Sequence, residues 1–147
     1  MPLFGHLKKN EDELTLEATI ENIPQVIGFI DERLEKADCS LKSQMQIDVA
    51  VDEIFSNISK YAYEPGPGKA TVRIHIDENA RMCSVTFIDR GIPYDPTLHA
   101  DPDITMDAEH RDIGGLGIYL VKRTMDGWEY TFEDGRNIQV IHKSLDA

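Results

Sequence analysis

Residues 51–63 read VDEIFSNISKYAY. At about 100° per residue, Val51, Ile54, Ile58 and Ala62 fall on one stripe, which Ile47 continues backward. Glu53 and Asn57, one helical turn apart, lie together on one flank of that stripe, beside Ala50. The opposite flank and the far side carry Asp48, Asp52, Ser56 and Ser59. Burying the stripe brings a carboxylate and an amide to the margin of the core, where an unpaired polar group costs about 1–3 kcal/mol. As a solvated helix edge the pair is ordinary. As chemistry, the Asn57 carbonyl is a hard oxygen suited to Mg²⁺, which takes few protein ligands. The Glu53 carboxylate, one turn away, is placed to orient or deprotonate a hydroxyl or a water.

Working outward, this helix spans about 41–63, with Ser40 as its N-cap and PGPG at 65–68 as its terminator. Upstream, ELTLEATI at 13–20 alternates apolar and polar residues as a half-buried strand does. Asn22 is a candidate cap, with Pro24 in the first turn, for a helix running to about Ala37 over Val26, Ile27, Ile30 and Leu34. Downstream, ATVRIHID at 70–77 and MCSVTFID at 82–89 form an antiparallel pair around a tight ENAR turn. Residues 90–113 hold three prolines, many aspartates, His99 and His110 with little periodicity, a long loop of the functional kind. GGLGIYLVKRTMD then opens a helix to about Met125, and strands at 127–133 and 137–142 flank an Asp134-Gly135 hairpin turn. The order β-α-α-β-β-loop-α-β-β predicts an α+β two-layer sandwich: a mostly antiparallel mixed sheet with three helices on one face, one domain over residues 1–147.

Composition sets limits. The chain's 147 residues are 41% hydrophobic and carry a formal net charge of −12. That charge repels phosphate backbones and anionic lipid, so direct nucleic-acid and membrane partners are disfavoured. No apolar run approaches the roughly 18 residues of a membrane span, and MPLFGHLKKN lacks the signal-peptide pattern. Cys39 and Cys83, far apart and without CxxC spacing, read as free thiols of a reducing cytosol. A soluble cytoplasmic domain is the expectation.

Two further polar stations follow the helix. In Ile88-Asp89-Arg90-Gly91, an ordinary turn by itself, Asp89 at a strand end is also suited to accept the N6 amino hydrogen of adenine. Gly91 would let a flat base lie against the backbone. In Gly114-Gly115-Leu116-Gly117, glycines at a helix start free amides to face an anion, with roughly half a positive charge from the helix end. Helix packing explains such glycines equally well. No GK[ST] follows, so this is no P-loop, and Leu120 stands where a GxGxxG motif needs its last glycine.

Taken together, Glu-x-x-x-Asn on a helix, Asp-x-Gly after a strand, a long loop and GGLG into a helix resemble the GHKL ATPase superfamily of gyrase, histidine kinases and MutL, the Bergerat ATP-binding fold. More closely, the chain resembles the stand-alone bacterial anti-sigma-factor serine/threonine kinases. VDEIFSNISKYAY matches that family's N box, IDRGIPYDP its first glycine box and GGLGIYLVKRTMD its second. The resemblance implies ATP and Mg²⁺ as cofactors, with Asn57 on the metal and Glu53 as catalytic base. It implies that Asp89 reads adenine with Gly91 lining the base, that Gly114, Gly115, Leu116 and Gly117 cradle the triphosphate, and that 97–113 is a lid. It also implies a Ser/Thr substrate on an anti-sigma-factor antagonist protein, a sequestered sigma factor and a homodimer.

The match has departures. Tyr61 stands where relatives usually have His before Ala-Tyr. Arg136-Asn137 replaces the Gly-Thr whose Thr supports the adenine-reading Asp, leaving Asn137 as the candidate replacement. Asp52 neighbours Glu53, but only Glu53 is four residues from Asn57. Three other readings compete. One is a non-catalytic, nucleotide-dependent binding module. Another is half of a sensor histidine kinase, for which no phosphoacceptor helical hairpin is present. The last is an acetyltransferase loop at Arg111-x-x-Gly114, where Leu116 occupies a small-residue position.

Overall fold

The computed structural model describes residues 11–63, 68–101 and 113–146, with only the backbone considered at 113–115. Strand β1 (Glu11–Glu17) leads through a short 3-10 turn to helix α1 (Ile23–Lys36) and helix α2 (Leu41–Asn57). Strands β2 (Lys69–Asp77) and β3 (Met82–Asp89) follow, then helix α3 (Ile113–Thr124) and strands β4 (Gly127–Glu133) and β5 (Arg136–Ser144). The sheet order is β1-β2-β3-β5-β4. Every described pairing is antiparallel, so the mixed character allowed for the sheet is absent among these residues. The Asp134-Gly135 turn has positive φ at both residues (53° and 75°), the twist that a two-residue hairpin needs.

Alternation along the strands decides the layers. Val72, Ile74, Val85, Phe87 and Ile141 point to one face and are buried with Val26, Ile30 and Leu34 of α1 and Ile47, Val51, Ile54 and Phe55 of α2. Each such side chain contributes roughly 1.5–3 kcal/mol relative to exposure. The other face is mostly polar, although the register partners Ile88 and Ile138 are buried on it. There Arg73 pairs with Glu13 at 2.6 Å, and Ser84, His142 and Glu129 form a hydrogen-bonded chain across the strands.

Several boundaries differ from the expectation, each for a local reason. β1 ends at Glu17, just before the chain enters a 3-10 turn closed by the Asn22 amide on the Thr19 carbonyl. Asn22 makes no cap; its amide donates back to the carbonyl of Glu17 at 2.8 Å. Ser40 does cap α2, its hydroxyl accepting from the Ser43 amide at 3.1 Å. The α-helical ladder stops at Asn57, and Ile58–Ala62 continues as a wider π-helical turn, a form often found at functional sites. Cys39 and Cys83 are free thiols.

One packing detail lies between α1 and α2. The carboxyl groups of Asp31 and Asp48 face each other, and Oδ1 of each is buried without a hydrogen-bond partner. Burial, then the hydrogen bond and charge of Asp31 and the charge of Glu35, push Asp48 up to about 8. A carboxyl whose native value is raised holds a proton that the unfolded chain releases. Stability therefore falls as pH rises from the ordinary carboxylate range, about 4, toward 8. Asp48→Asn is expected to flatten this slope and raise Tm by a few degrees, roughly 2–5 °C, at pH 8 but not at pH 4, as read by thermal unfolding across pH.

Candidate functional site

Of the predicted site residues, Asn57 and Asp89 line one open cavity of about 400 Å³. Ile54, Asn57, Ile58, Tyr61 and Ala62 form one wall, and Asp89 with Ile92, Pro93, Tyr94 and Pro96 forms another. His99, Ile118 and, from β4 and β5, Trp128, Asn137 and Gln139 complete it. Mostly apolar walls with a few converging polar groups are what a small-molecule site looks like.

Asp89, at the end of β3, is 4% exposed. Its Oδ1 accepts from the Gly91 amide at 2.9 Å and from Asn137 Nδ2 at 3.0 Å, while Oδ2 accepts no hydrogen bond among the described residues. Burial raises its pKa, and the bonds from Asn137 and Gly91 oppose that rise. Asn137 sits opposite Asp89 in the β3–β5 register. Its amide nitrogen also faces the carbonyls of Gly91 and Ile92, and its Oδ1 accepts from the Tyr94 amide and the Tyr130 hydroxyl. Five partners fix the amide orientation, so the side chain in the place of the expected Thr does hold the carboxylate.

On α2, Asn57 Nδ2 donates to Glu53 Oε1 at 3.0 Å, and Asn57 Oδ1 accepts no hydrogen bond among the described residues. Glu53 is half-buried, and burial raises its pKa against the opposing effects of Asn57 and Lys60. Asp52 is exposed, and of the two neighbouring carboxylates it is Glu53 that bonds Asn57. Tyr61 is exposed at the cavity mouth.

Two glycines have packing reasons the sequence did not disclose. A Cβ on Gly91 would lie 2.2 Å from the carbonyl oxygen of Ala62, so the close approach Gly91 permits is to the π-helical turn. The Ile92 amide seals that contact by donating to the same carbonyl at 3.0 Å. A Cβ on Gly117 would lie 2.2 Å from the Glu53 carboxylate, so α3 crosses α2 directly over the polar pair. Helix α3 opens at Ile113, which places Gly114 and Gly115 in the first turn, where amides have no intrahelical partner. Leu116 is half-buried, and Gly117 lies one turn in, its amide inside the ladder.

Of the expected lid, residues 97–101 are described. Pro96–Leu98 forms a 3-10 turn, and Lys122 Nζ holds the His99 carbonyl at 2.6 Å and Asp101 at 3.2 Å. Residues 102–112, with His110 and Arg111, lie outside the described residues. Sequence reasoning missed Trp128, Gln139, Tyr94 and Tyr130. The chain's sole tryptophan, bonded through Nε1 to Gln139 at 3.2 Å, was the one available signal.

This geometry agrees with the comparison to known proteins. Residues 16–142 match the model of the histidine kinase-like ATPase domain. The chain belongs to that family. Among curated relatives of the family, serine/threonine-protein kinase BtrW of Bordetella bronchiseptica is 24% identical over 89% of this chain and 92% of its own. Serine-protein kinase RsbW of Listeria innocua is 28% identical over 70% of this chain and 68% of its own, and that of Bacillus cereus 22% over 88% and 76%. In structure, the chain resembles the crystal structure of the RsbU and RsbW domains of Rv1364c from Mycobacterium tuberculosis, with a TM-score of 0.64 at 15% identity. That likeness covers 91% of this chain and 32% of the larger one, and it establishes the fold. No described helix is long and apolar enough to cross a membrane.

Proposed function

We propose that this single domain is a cytoplasmic ATP-dependent serine/threonine protein kinase and anti-sigma regulatory factor. It phosphorylates an antagonist protein, sequesters a sigma factor and works as a homodimer. The kinase names of its relatives support the class. The observation that carries the reading is the one cavity that joins the unpaired oxygen of the buried Asp89 to the carbonyl of Asn57. Asp89 Oδ2 accepts the exocyclic amine of adenine, a role that guanine, with a carbonyl there, cannot share. The apolar walls and Trp128 flank the base. Asn57 Oδ1 fits Mg²⁺, because its amide is committed to Glu53 and only the hard oxygen is left, while the remaining ligands of such an ion are waters and phosphate oxygens. The first turn of α3 presents the amides of Gly114 and Gly115 to phosphate. Bound MgATP supplies the transferable phosphoryl group and neutralises its charge. Glu53 takes the proton from the acceptor hydroxyl.

Trp128 gives a direct readout. Titration with ATP and Mg²⁺ is expected to change its fluorescence saturably and GTP to do so much more weakly; no response to ATP would remove the nucleotide site. The binding-module reading keeps one observation in its favour: Glu53 packs under Gly117 and does not line the cavity. Labelled ATP with a candidate antagonist separates the two, since a binder that only sequesters leaves no phosphoprotein.

A further inference from the structure

Helix α2 has a second face that the nucleotide site does not use. Leu41, Met45 and Val49 recur every fourth residue along it and are 73%, 59% and 52% exposed. Three large apolar side chains in a row on solvent are unlike singly scattered ones and mark a surface that is covered in use. Asp48 and Asp52 lie on the same outer side, each three or four residues from Met45 or Val49. Asp31 and Glu35 of α1 border it across the helix–helix groove. No ion pair reaches Asp31, Asp48 or Asp52 among the described residues. On α1, Arg33 is engaged with Asp12 at 2.9 Å and Lys36 with Glu32 at 3.3 Å, so Lys42, on the far edge of the ridge from the α1 carboxylates, is the cation nearest the face.

We infer that the outer face of α2, with the α1–α2 groove beside it, docks a basic amphipathic helical segment of a partner protein. The apolar ridge spans about 12 Å at roughly 1.5 Å per residue, which matches two to three turns of a facing helix. Lysine or arginine flanking that helix's apolar stripe would meet the carboxylates that the chain leaves without counter-ions. A second copy of this chain fits poorly. A two-fold interface through this face sets the same carboxylates against one another, on a molecule of net charge −12. The inference does not depend on nucleotide binding.

The groove carries its own reporter. Asp48 holds a proton up to about 8, faced by Asp31, Glu35 and, more distantly, the Cys39 thiol. An arriving cation stabilises the carboxylate and expels that proton. The probes are two synthetic helical peptides with one leucine stripe, flanked by lysine and arginine in one and by glutamate in the other. Calorimetry at pH 7, in two buffers of different ionisation enthalpy, is expected to show at least tenfold tighter binding of the basic peptide, with proton release. The double variant Leu41→Ser, Met45→Ser is expected to lose at least tenfold in affinity while its thermal unfolding and Trp128 fluorescence stay unchanged. Asp48→Asn, which keeps the ridge, is expected to bind without releasing a proton. Equal affinity for the two peptides, no binding of the basic one, or unchanged binding by the double variant would overturn the inference. So would sedimentation showing a wild-type dimer that the same variant dissolves, because the face would then belong to a second copy.

Discussion

Glu53→Gln is expected to leave ATP affinity within about threefold of wild type and to cut phosphoryl transfer by about 10²–10⁴-fold, the range for a lost general base. The amide keeps the shape of the carboxylate and can still accept from Asn57 Nδ2, so the hydrogen bond that leaves the Asn57 carbonyl free survives. What disappears is proton affinity. Burial already raises the Glu53 pKa, which makes it a better base than an exposed carboxylate. The direction also fixes the pH profile. As pH falls, transfer should fail through the raised value of Glu53, above the ordinary range near about 4.3. In the variant this acid limb should vanish along with the rate. A variant that phosphorylates its antagonist at the wild-type rate would exclude Glu53 as the base.

Asp89→Asn is expected to weaken ATP by about 10- to 150-fold, the worth of one hydrogen bond to a buried charge. Rotation of the new amide cannot rescue it. The Gly91 amide and Asn137 Nδ2 both donate to the Oδ1 position, so the oxygen must stay there and the new NH₂ must face the cavity. Adenine would then meet a donor against its own donor. The same geometry predicts a gain for a base bearing a carbonyl at that position, so the ATP-over-GTP preference should shrink or reverse. Equilibrium titrations of both nucleotides against Trp128 fluorescence measure this, and unchanged ATP affinity would remove Asp89 from base recognition.

Much of this was legible from short-range pattern. Alternation at 70–77 and 82–89 specified a hairpin whose register the structure keeps from Ala70–Asp89 to Asp77–Met82. The stripe through Ile47, Val51, Ile54 and Ile58 is buried throughout, and Glu53 and Asn57 meet on its flank. What stayed hidden depends on distance or on a change of helix type. A π-helical turn at Ile58–Ala62 has nearly the same residue pattern as a continuing α-helix, so periodicity cannot distinguish them. The role of Asn137 arises from a partner 48 residues away, and Gly117 is small because of a carboxylate on another helix. Asp31 and Asp48 each look like a solvated residue beside a core position, and only the packing of α1 on α2 makes them a pair. Edge residues such as Trp128 declared themselves only once β5 was seen to lie between β3 and β4.

Tyr63 ties the site together in a way that constrains whatever enters it. Its hydroxyl donates to the Lys69 carbonyl and accepts from the Arg90 amide, both at 2.6 Å, just past the π-helical turn. One phenol thus rivets the end of the N box to the exit of β3, the two segments whose spacing sets the width of the slot. Such a slot cannot splay to admit a thicker guest. Width therefore limits what fits before any edge is read, and on the remaining side α3 borders the slot through Ile118.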